Sequence, residues 1–279
     1  MSELVTIDAS KERALAAALG LATEQRTELL PLLKINLEDE DDEGNTLPRG
    51  KFMVTGQDKT VYADKVRIRP LSQMFQWLHY DPSENRVANK TIIVPRLNYE
   101  ARDQKGGLKC GKPASKVLKA DPELAKKYKD ITCFRLVHCL VSYEGVDAQG
   151  KKATVENVPA LLRLKGANFS AFEEEVVDKL PKGKKLYDYW VELSATKKKN
   201  GSVVYYVYSY EVDLGNPAPL DQLTYDTMLH IVDMIKEENA KINAKYEAAV
   251  RGSASSSAAM KAVEILEEES DSLEEDLVD

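Results

Sequence analysis

Apolar and polar side chains alternate through most of the chain between residues 50 and 215, and this pattern predicts β-strands. Strands are expected in RGKFMVTG, KTVYADKVRIRPL, MFQWLHY, TCFRLVHCLVSYEG and ATVENVPALLRLKG, which are rich in β-branched and aromatic residues. Pro159 marks the last of these as an edge strand or a bulge. Two more alternating segments, LYDYWVELSA and SVVYYVYSYEVDL, are joined by TKKKNG, and Asn200-Gly201 is a strong signal for a hairpin turn.

Helical spacing of apolar residues occurs in three other places. In NFSAFEEEVVDKL, apolar residues recur every three or four positions from Phe169 onward, and Pro181 ends the helix. A long helix is predicted in LTYDTMLHIVDMIKEENAKINAKYEAAV, where apolar residues between Leu223 and Ile235 have helical spacing. The N-terminal SKERALAAALGLATEQRTELL predicts one or two short helices, with Ser10 as the cap.

The order of these elements is two or three strands, a helix and a closing hairpin. A five-stranded OB barrel has this order and binds oligonucleotides on one face and in the loops joining strands one to two and four to five; other small β-rich folds also tolerate it. The predicted fold is mainly β with flanking helices (α+β), as an OB-fold-like five-stranded barrel with an insertion, a C-terminal helix and a disordered acidic tail. The predicted divisions are a helical and acidic arm over 1–48, an OB-like nucleic-acid-binding domain over 49–220 with the insertion around 96–130, a C-terminal helix over 221–250, and a flexible linker with the acidic tail over 251–279.

Charge is distributed unevenly along the 279 residues. Residues 251–279 contain nine acids against Arg251 and Lys261, which equals the whole formal net charge of −7. Residues 1–50 hold 5 basic and 11 acidic side chains, whereas residues 51–250 hold 32 basic and 26 acidic ones. A basic body therefore lies between two acidic flanks, and the acids expected to recruit partners are Glu267, Glu268, Glu269, Asp271, Glu274, Glu275 and Asp276.

Composition excludes several classes of protein. No apolar run approaches the roughly 18 residues of a membrane span, and the N-terminus lacks the pattern of a signal peptide, so a cytoplasmic location is predicted.

The three cysteines are an odd number, which favours reduced thiols over a disulfide framework. Cys133 and Cys139 lie six positions apart on one predicted strand, about 20 Å, so buried thiols are favoured over a metal site. Because phosphate-loop, dinucleotide-binding, zinc-protease and nucleophile-elbow motifs are missing, we expect no enzyme, no metal and no cofactor.

Basic side chains are the first group of candidate site residues. Lys65, Arg67 and Arg69 alternate along one predicted strand and should project from one face, where phosphates could bind them. The three lysines at 197–199 are placed at the tip of the predicted hairpin, where they repel one another unless an anion lies near. Further basic residues in or beside the insertion are interleaved with Tyr99, a mixture that suits single-stranded nucleic acid.

Aromatic side chains are the second group. Trp190 falls on the polar face of its predicted strand, and Tyr206 and Tyr208 share one face of the partner strand. These rings either fill the core or form platforms for unpaired bases, each worth roughly 1–3 kcal/mol. The candidate nucleic-acid-binding residues are Lys65, Arg67, Arg69, Trp77, Arg86, Lys90, Arg96, Tyr99, Lys109, Lys112, Trp190, Lys197, Lys198, Lys199, Tyr206 and Tyr208.

The chain resembles the single-stranded-DNA-binding proteins of tailed bacteriophages over roughly residues 50–215 and in the style of its tail. The strand, helix and lysine-turn hairpin of those proteins are similar to LLRLKGANFSAFEEEVVDKLPKGKKLYDYWVELSATKKKNGSVVYYVYSYEV. The resemblance implies an OB barrel that coats single-stranded DNA in replication, recombination or repair, with an acidic tail that recruits the proteins of those processes. Some relatives carry a zinc insertion near the position of Cys110, but the ligand set is incomplete here. The tail ends in Leu277-Val278-Asp279, without the terminal aromatic of some relatives.

The main alternative is a phage structural or host-interaction protein. Its tyrosine-rich sheet would dock a protein, and its acidic segments would mimic DNA. A nucleic-acid-processing enzyme is a third interpretation. Preference for DNA over RNA and homo-oligomerisation are left open by the sequence.

Overall fold

The computed structural model of the chain describes residues 30–40, 44, 46–57 and 59–275, with side chains described as far as residue 252. The predicted N-terminal helices, part of the acidic loop and Asp276 lie outside the described residues. None of the helices in the described part is at once long and apolar enough to cross a lipid bilayer.

The described chain is mainly β, and its strands form one curled, mixed sheet. The order across the sheet is β2-β1-β6-β5-β3-β7-β8, with β4 also paired to β3. The β1–β6 pair is parallel and all others are antiparallel. The strands are β1 (Leu32–Ile35), β2 (Phe52–Val54), β3 (Lys65–Asp81), β4 (Arg86–Lys90), β5 (Ile131–Val146), β6 (Lys152–Leu164), β7 (Val191–Asn200) and β8 (Val203–Val212).

Four α-helices accompany the sheet within the described residues. Two short ones lie in the insertion, one lies between β6 and β7, and the last is 54 residues long. They are α1 (Ser115–Ala120), α2 (Pro122–Lys127), α3 (Ala167–Glu175) and α4 (Gln222–Glu275). The predicted helix starting near Phe169 is confirmed as α3, which is followed by a 3-10 turn over Val177–Lys179.

Strand β3 organises the sheet because it pairs on both sides. Two separate strands are predicted here, but the structure has one strand of 17 residues with a bulge between Pro70 and Ser72. Its first part pairs with β7 through Lys65 to Ile68, and it pairs with β5 from Arg67 to His79. The bulge lets one continuous strand follow the curl of the sheet.

The main core lies inside this curl. Phe52, Ile68, Leu162 and Leu193 are fully buried there, and α3 contributes Phe172. The ring of Phe172 meets Tyr210 edge-on, with centroids 5.3 Å apart. A smaller core fixes the insertion to the C-terminal half of β3 and the start of β5. It consists of Phe75, Trp77, Val94, Ala101 and Ile131.

Helix α3 also covers the free edge of β8 with side-chain hydrogen bonds. The Asn168 amide donates to the Tyr206 carbonyl (3.2 Å), and its oxygen accepts the Tyr208 N–H (2.9 Å). The Glu175 carboxylate accepts the Tyr210 N–H (2.7 Å). These contacts satisfy backbone groups that an edge strand otherwise exposes.

The hairpin is confirmed, with a register that changes the position of its lysines. Gly201 (φ +59°) and Ser202 form a two-residue turn, so the ladder extends to the Asn200–Val203 pair. The lysines at 197–199 therefore lie in β7 rather than at the tip, which corrects the prediction. The strand also starts later than expected, at Val191, because 186–188 form a 3-10 turn in which the Asp188 carboxylate accepts the Lys185 N–H.

Helix α4 begins as predicted but does not end at residue 250. It continues to Glu275 through the segment predicted to be a flexible linker. Residues 251–275 contain six glutamates, four alanines and no proline, so a continuous helix is compatible with their propensities despite Gly252 and six serines. Its first part packs along the outer side of the sheet and insertion: Thr224 contacts Arg69, and the Asn239 amide bonds the backbone of Ile93.

Candidate nucleic-acid interface

Arg69 is a structural residue and not a free cation. The residue is only 2% exposed. The guanidinium donates to the carbonyls of Tyr187 (2.8 Å), Pro219 (2.8 Å) and Ala218 (3.1 Å) and to the Thr224 hydroxyl (2.8 Å). The prediction that Arg69 faces phosphates is therefore wrong, because the segment leading into α4 covers this part of the face.

The other two cations of that strand are exposed but lie beside acids. Lys65 is 2.5 Å from Glu192, and this contact raises the pKa of the lysine. Arg67 lies 3.9 Å from Asp213 and over the half-buried ring of Trp190, 5.3 Å from its centroid. The face predicted to present three cations thus has little net positive charge. In addition, the Arg67 guanidinium covers one side of the Trp190 ring.

Two predicted tyrosines of β8, Tyr206 and Tyr208, pack against the core. Tyr208 lies 5.6 Å from Phe52, and burial raises its pKa to about 12. The Tyr206 hydroxyl approaches Gly50 (φ +83°) so closely that a Cβ there would lie 2.6 Å from it. Both rings pack against the main core, which corrects their prediction as stacking platforms. Tyr205, which the sequence did not single out, is the exposed tyrosine of this segment.

The lysines of β7 lie opposite the part of β8 that α3 contacts. Lys197 pairs with Tyr206, Lys198 with Tyr205 and Lys199 with Val204, beyond the end of β3 that pairs with β7. Tyr206 accepts a hydrogen bond from Asn168 of α3, and the next residue, Phe169, packs against the smaller core that holds the insertion. The hairpin and the insertion are therefore linked through the start of α3.

A cleft beneath the insertion does bring predicted residues together. We call it the insertion cleft; its volume is about 640 Å³. Trp77 lies in its wall, 7% exposed, and the Lys109 ammonium sits 5.1 Å from the centre of the indole. The cleft is lined by Trp77, Leu97, Lys109, Lys112, Pro113, Ala114, Ser115, Cys133, Gly166 and Phe169.

A buried aspartate shapes the loop that carries Lys109. The Asp103 carboxylate accepts the N–H groups of Lys105 (2.9 Å), Gly107 (3.1 Å) and Cys110 (3.1 Å). Lys109 (φ +52°) and Cys110 (φ +56°) adopt left-handed conformations that non-glycine residues rarely take. Such strained conformations persist only where surrounding contacts stabilise them. Here the hydrogen bonds to Asp103 hold the turn beside Trp77. The glycine-rich run KGGLKCG could have indicated this turn, whereas nothing in the sequence pointed to Asp103.

A second cleft of about 710 Å³ adjoins the first and shares Leu97 and Phe169 with it. Arg135, 2% exposed, lies in its floor, and its guanidinium stacks 4.5 Å from the centre of Phe169. The same group contacts Glu173 at 2.5 Å. Nothing in the sequence pattern pointed to Arg135, because a single arginine in a strand pattern is normally an outward residue. Arg96, a predicted residue, lines this second cleft and is exposed.

Two of the remaining predicted cations have acidic partners. Arg86 on β4 pairs with Glu84 and is exposed. Lys90 pairs with Glu238 of α4, so it helps to hold the helix against the sheet. Lys90 is therefore better explained as a structural residue than as a phosphate ligand.

The insertion remains strongly basic after these assignments. Residues 96–129 contain ten basic and four acidic side chains. Large apolar side chains are exposed among them, including Tyr99, which is 54% exposed. The others are Leu97, Leu108 and Val117.

The three cysteines are free. Burial raises the pKa of Cys110 and Cys133 to about 12 and raises that of Cys139 as well. Cys133 and Cys139 lie on the same strand, β5, as predicted. Within the described residues, no group of three or more potential metal ligands is found.

The acidic residues of the tail fall mainly in the last part of α4. The helix passes the insertion at Ala249 and Val250, which lie against Gly106. Asp276 lies outside the described residues, and the positions carried by the helix are Glu267, Glu268, Glu269, Asp271, Glu274 and Glu275.

No protein-family model matches the chain, and comparisons with curated proteins and with solved structures likewise return no match. The resemblance of residues 50–215 to phage single-stranded-DNA-binding proteins stays a prediction. The insertion cleft and its basic surroundings are the strongest candidate site in the described part of the chain.

Proposed function

We propose that this protein binds single-stranded DNA along the insertion and has no catalytic role. The observation that carries the proposal is the insertion cleft, where Trp77, Lys109 and Lys112 meet apolar walls within a segment of ten basic and four acidic residues. Cations can neutralise the DNA backbone, while the exposed Leu97 and Tyr99 can contact bases that are not paired. Duplex DNA hides its bases and would use only the cations.

The strand connections support an OB-type fold as part of this proposal. Strands β3, β5 and β6 follow one another as antiparallel neighbours, α3 comes next, and the β7–β8 hairpin returns to β3. This is the order of an OB barrel, in which the insertion is the loop between strands one and two and the lysine hairpin is the loop between strands four and five. The pairing that would close the barrel, β6 with β8, is not among the described pairs, and β1 runs beside β6 instead.

Neutralising the insertion tests the proposal directly. We expect replacement of Lys105, Lys116 and Lys119 by glutamine to weaken binding of an oligo(dT) strand by about tenfold or more and to reduce the salt slope by about 2, since each lost phosphate contact removes about 0.7. Fluorescence anisotropy over a salt series measures both quantities.

The matched control replaces three exposed lysines by glutamine near the turn between β5 and β6, at the end of these strands that is remote from the insertion. They are Lys59, Lys151 and Lys152. This variant should bind almost as tightly as the native chain. Equal losses in the two variants, or equal affinity of the native chain for duplex and single strand, would contradict the assignment.

The acidic tail is proposed to compete with DNA and, when released, to recruit replication or recombination proteins. The tail follows the point where α4 passes Gly106 of the insertion, and in the continuous helix Glu267 lies about 25 Å further along the axis. The proposed competition therefore requires the helix to open in the serine-rich segment after Gly252, which would tether the acids near the basic surface at high effective concentration. Removing residues 253–279 should tighten oligo(dT) binding up to about tenfold at low salt, an advantage that fades as salt rises. Identical affinity with and without the tail, measured by the same anisotropy titration, would refute the competition.

A protein-docking role is the second candidate, and exposed apolar residues on α4 favour it. Tyr225, Leu229 and Val232 recur at helical spacing on the exposed side of the helix. Absence of any oligo(dT) binding at low salt would favour this role over DNA binding.

A further inference from the structure

The insertion cleft has the composition of a small-molecule site. Its volume falls within the range of about 300–1,000 Å³ that is typical of such sites. Trp77, Leu97, Pro113 and Phe169 supply apolar walls, and no carboxylate is among the residues that line it. Two lysines are the charged groups of the lining. This combination suits a ligand with a flat apolar part and an anionic part.

The two lysines are held by backbone oxygens rather than by acids. The Lys109 ammonium donates to the Leu97 carbonyl (3.1 Å), and the Lys112 ammonium donates to the Ile131 carbonyl. Burial lowers the pKa of Lys112, because its charge is desolvated. A partly desolvated ammonium group is stabilised more by a bound anion than a fully solvated surface lysine is.

The neighbouring cleft is less suitable for an anion. Of its two arginines, Arg135 is already bonded to Glu173, and three carboxylates (Glu173, Glu174 and Asp178) line the cleft beside Arg135 and Arg96. These carboxylates would repel a phosphate. The anionic part of a ligand therefore belongs in the insertion cleft.

We propose that the insertion cleft receives one nucleotide of the bound strand, with the base against Trp77 and Phe169 and the phosphate at Lys109 and Lys112. This inference rests on the proposed DNA binding and deepens it. The shared chemistry is that of a nucleoside monophosphate, which could also reach the cleft as a free molecule. The experiment must separate these two sources.

A Trp190→Phe variant of the full chain leaves Trp77 as its only tryptophan and so reports on the cleft. Thymidine monophosphate should quench this fluorescence saturably, whereas thymidine and inorganic phosphate should each bind at least tenfold more weakly. Saturating thymidine monophosphate should then abolish the further quenching that oligo(dT) produces. Additive quenching by the two ligands would overturn the inference, since the strand would not be entering the cleft.

Lys112→Gln in this background should weaken thymidine monophosphate binding at least tenfold. The same change at Lys152, which is exposed and remote from the cleft, should have less than a twofold effect. A thermal unfolding curve shows whether each variant is folded, and Lys109→Gln provides a second variant of the same pair. Equal binding by all the variants would overturn the assignment of the lysines.

The outcomes distinguish an incorrect cleft assignment from an incorrect assignment of DNA binding. Oligo(dT) binding by anisotropy without any effect of thymidine monophosphate on Trp77 would reject the cleft and retain DNA binding. Binding of the mononucleotide with no binding of oligo(dT) would reject both DNA binding and the proposed strand contact.

Discussion

Replacing Arg69 with methionine is expected to lower the free energy of unfolding by about 3–5 kcal/mol. The arginine is buried on the outer side of β3 and bonds three backbone carbonyls and the Thr224 hydroxyl. Its loss would leave these acceptors buried without donors, and it would also remove the contact with Asp221 at 3.4 Å. Urea denaturation followed by circular dichroism measures the change.

Arg67→Met is the matched control for this prediction. The two arginines are separated by one residue on the same strand, but the Arg67 side chain is 55% exposed and lies 3.9 Å from Asp213. Because an exposed ion pair contributes little, the control should lose less than about 1 kcal/mol. Similar losses in both variants would show that Arg69 does not anchor the start of α4.

Acidification is expected to destabilise the fold through His138, by about 3 kcal/mol between pH 6.5 and pH 4. The side chain is buried, and its Nδ1 lies 2.7 Å from the Ser72 hydroxyl. Burial lowers the pKa of His138 to about 4 from its ordinary value of 6.5. Below pH 6.5 the unfolded chain therefore binds a proton that the folded chain does not. The full stability is present above that pH and is lost as the pH falls towards 4.

A His138→Gln variant isolates this contribution from those of the carboxylates. It keeps a hydrogen-bonding side chain at the position but has no group that titrates in this range. Urea denaturation at several pH values should show a shallower loss of stability in the variant between pH 6.5 and pH 4 than in the native chain. Parallel curves for the two proteins would contradict the proposed role of His138.

Local patterns predicted those parts of the fold that local interactions determine. The helix near Phe169 follows from apolar spacing and ends before Pro181, and the turn at Gly201 requires a left-handed residue where glycine stands. The alternation of the central strands also predicted which residues share a face. These features depend on residues close together in the chain, so one sequence contains enough information for them.

Long-range contacts explain the errors at the candidate site. Alternation correctly places Arg69 on the outer face of β3, but it does not say that a helix starting some 150 residues later covers that face. Lys90 was misassigned for the same reason, since its partner Glu238 is on α4. Trp77, Lys109 and Lys112 were found individually as aromatic and basic residues, whereas their meeting in one cleft depends on the strained turn that Asp103 holds.

The hydrogen bonds from α3 to β8 have a consequence for behaviour at high concentration. Asn168 and Glu175 occupy the backbone positions through which another chain would add a strand. An uncovered edge strand can pair with a strand of another molecule and so promote aggregation. Helix α3 therefore protects the edge of β8 from such pairing. Copies of this chain can therefore reach high local concentration without joining through β8.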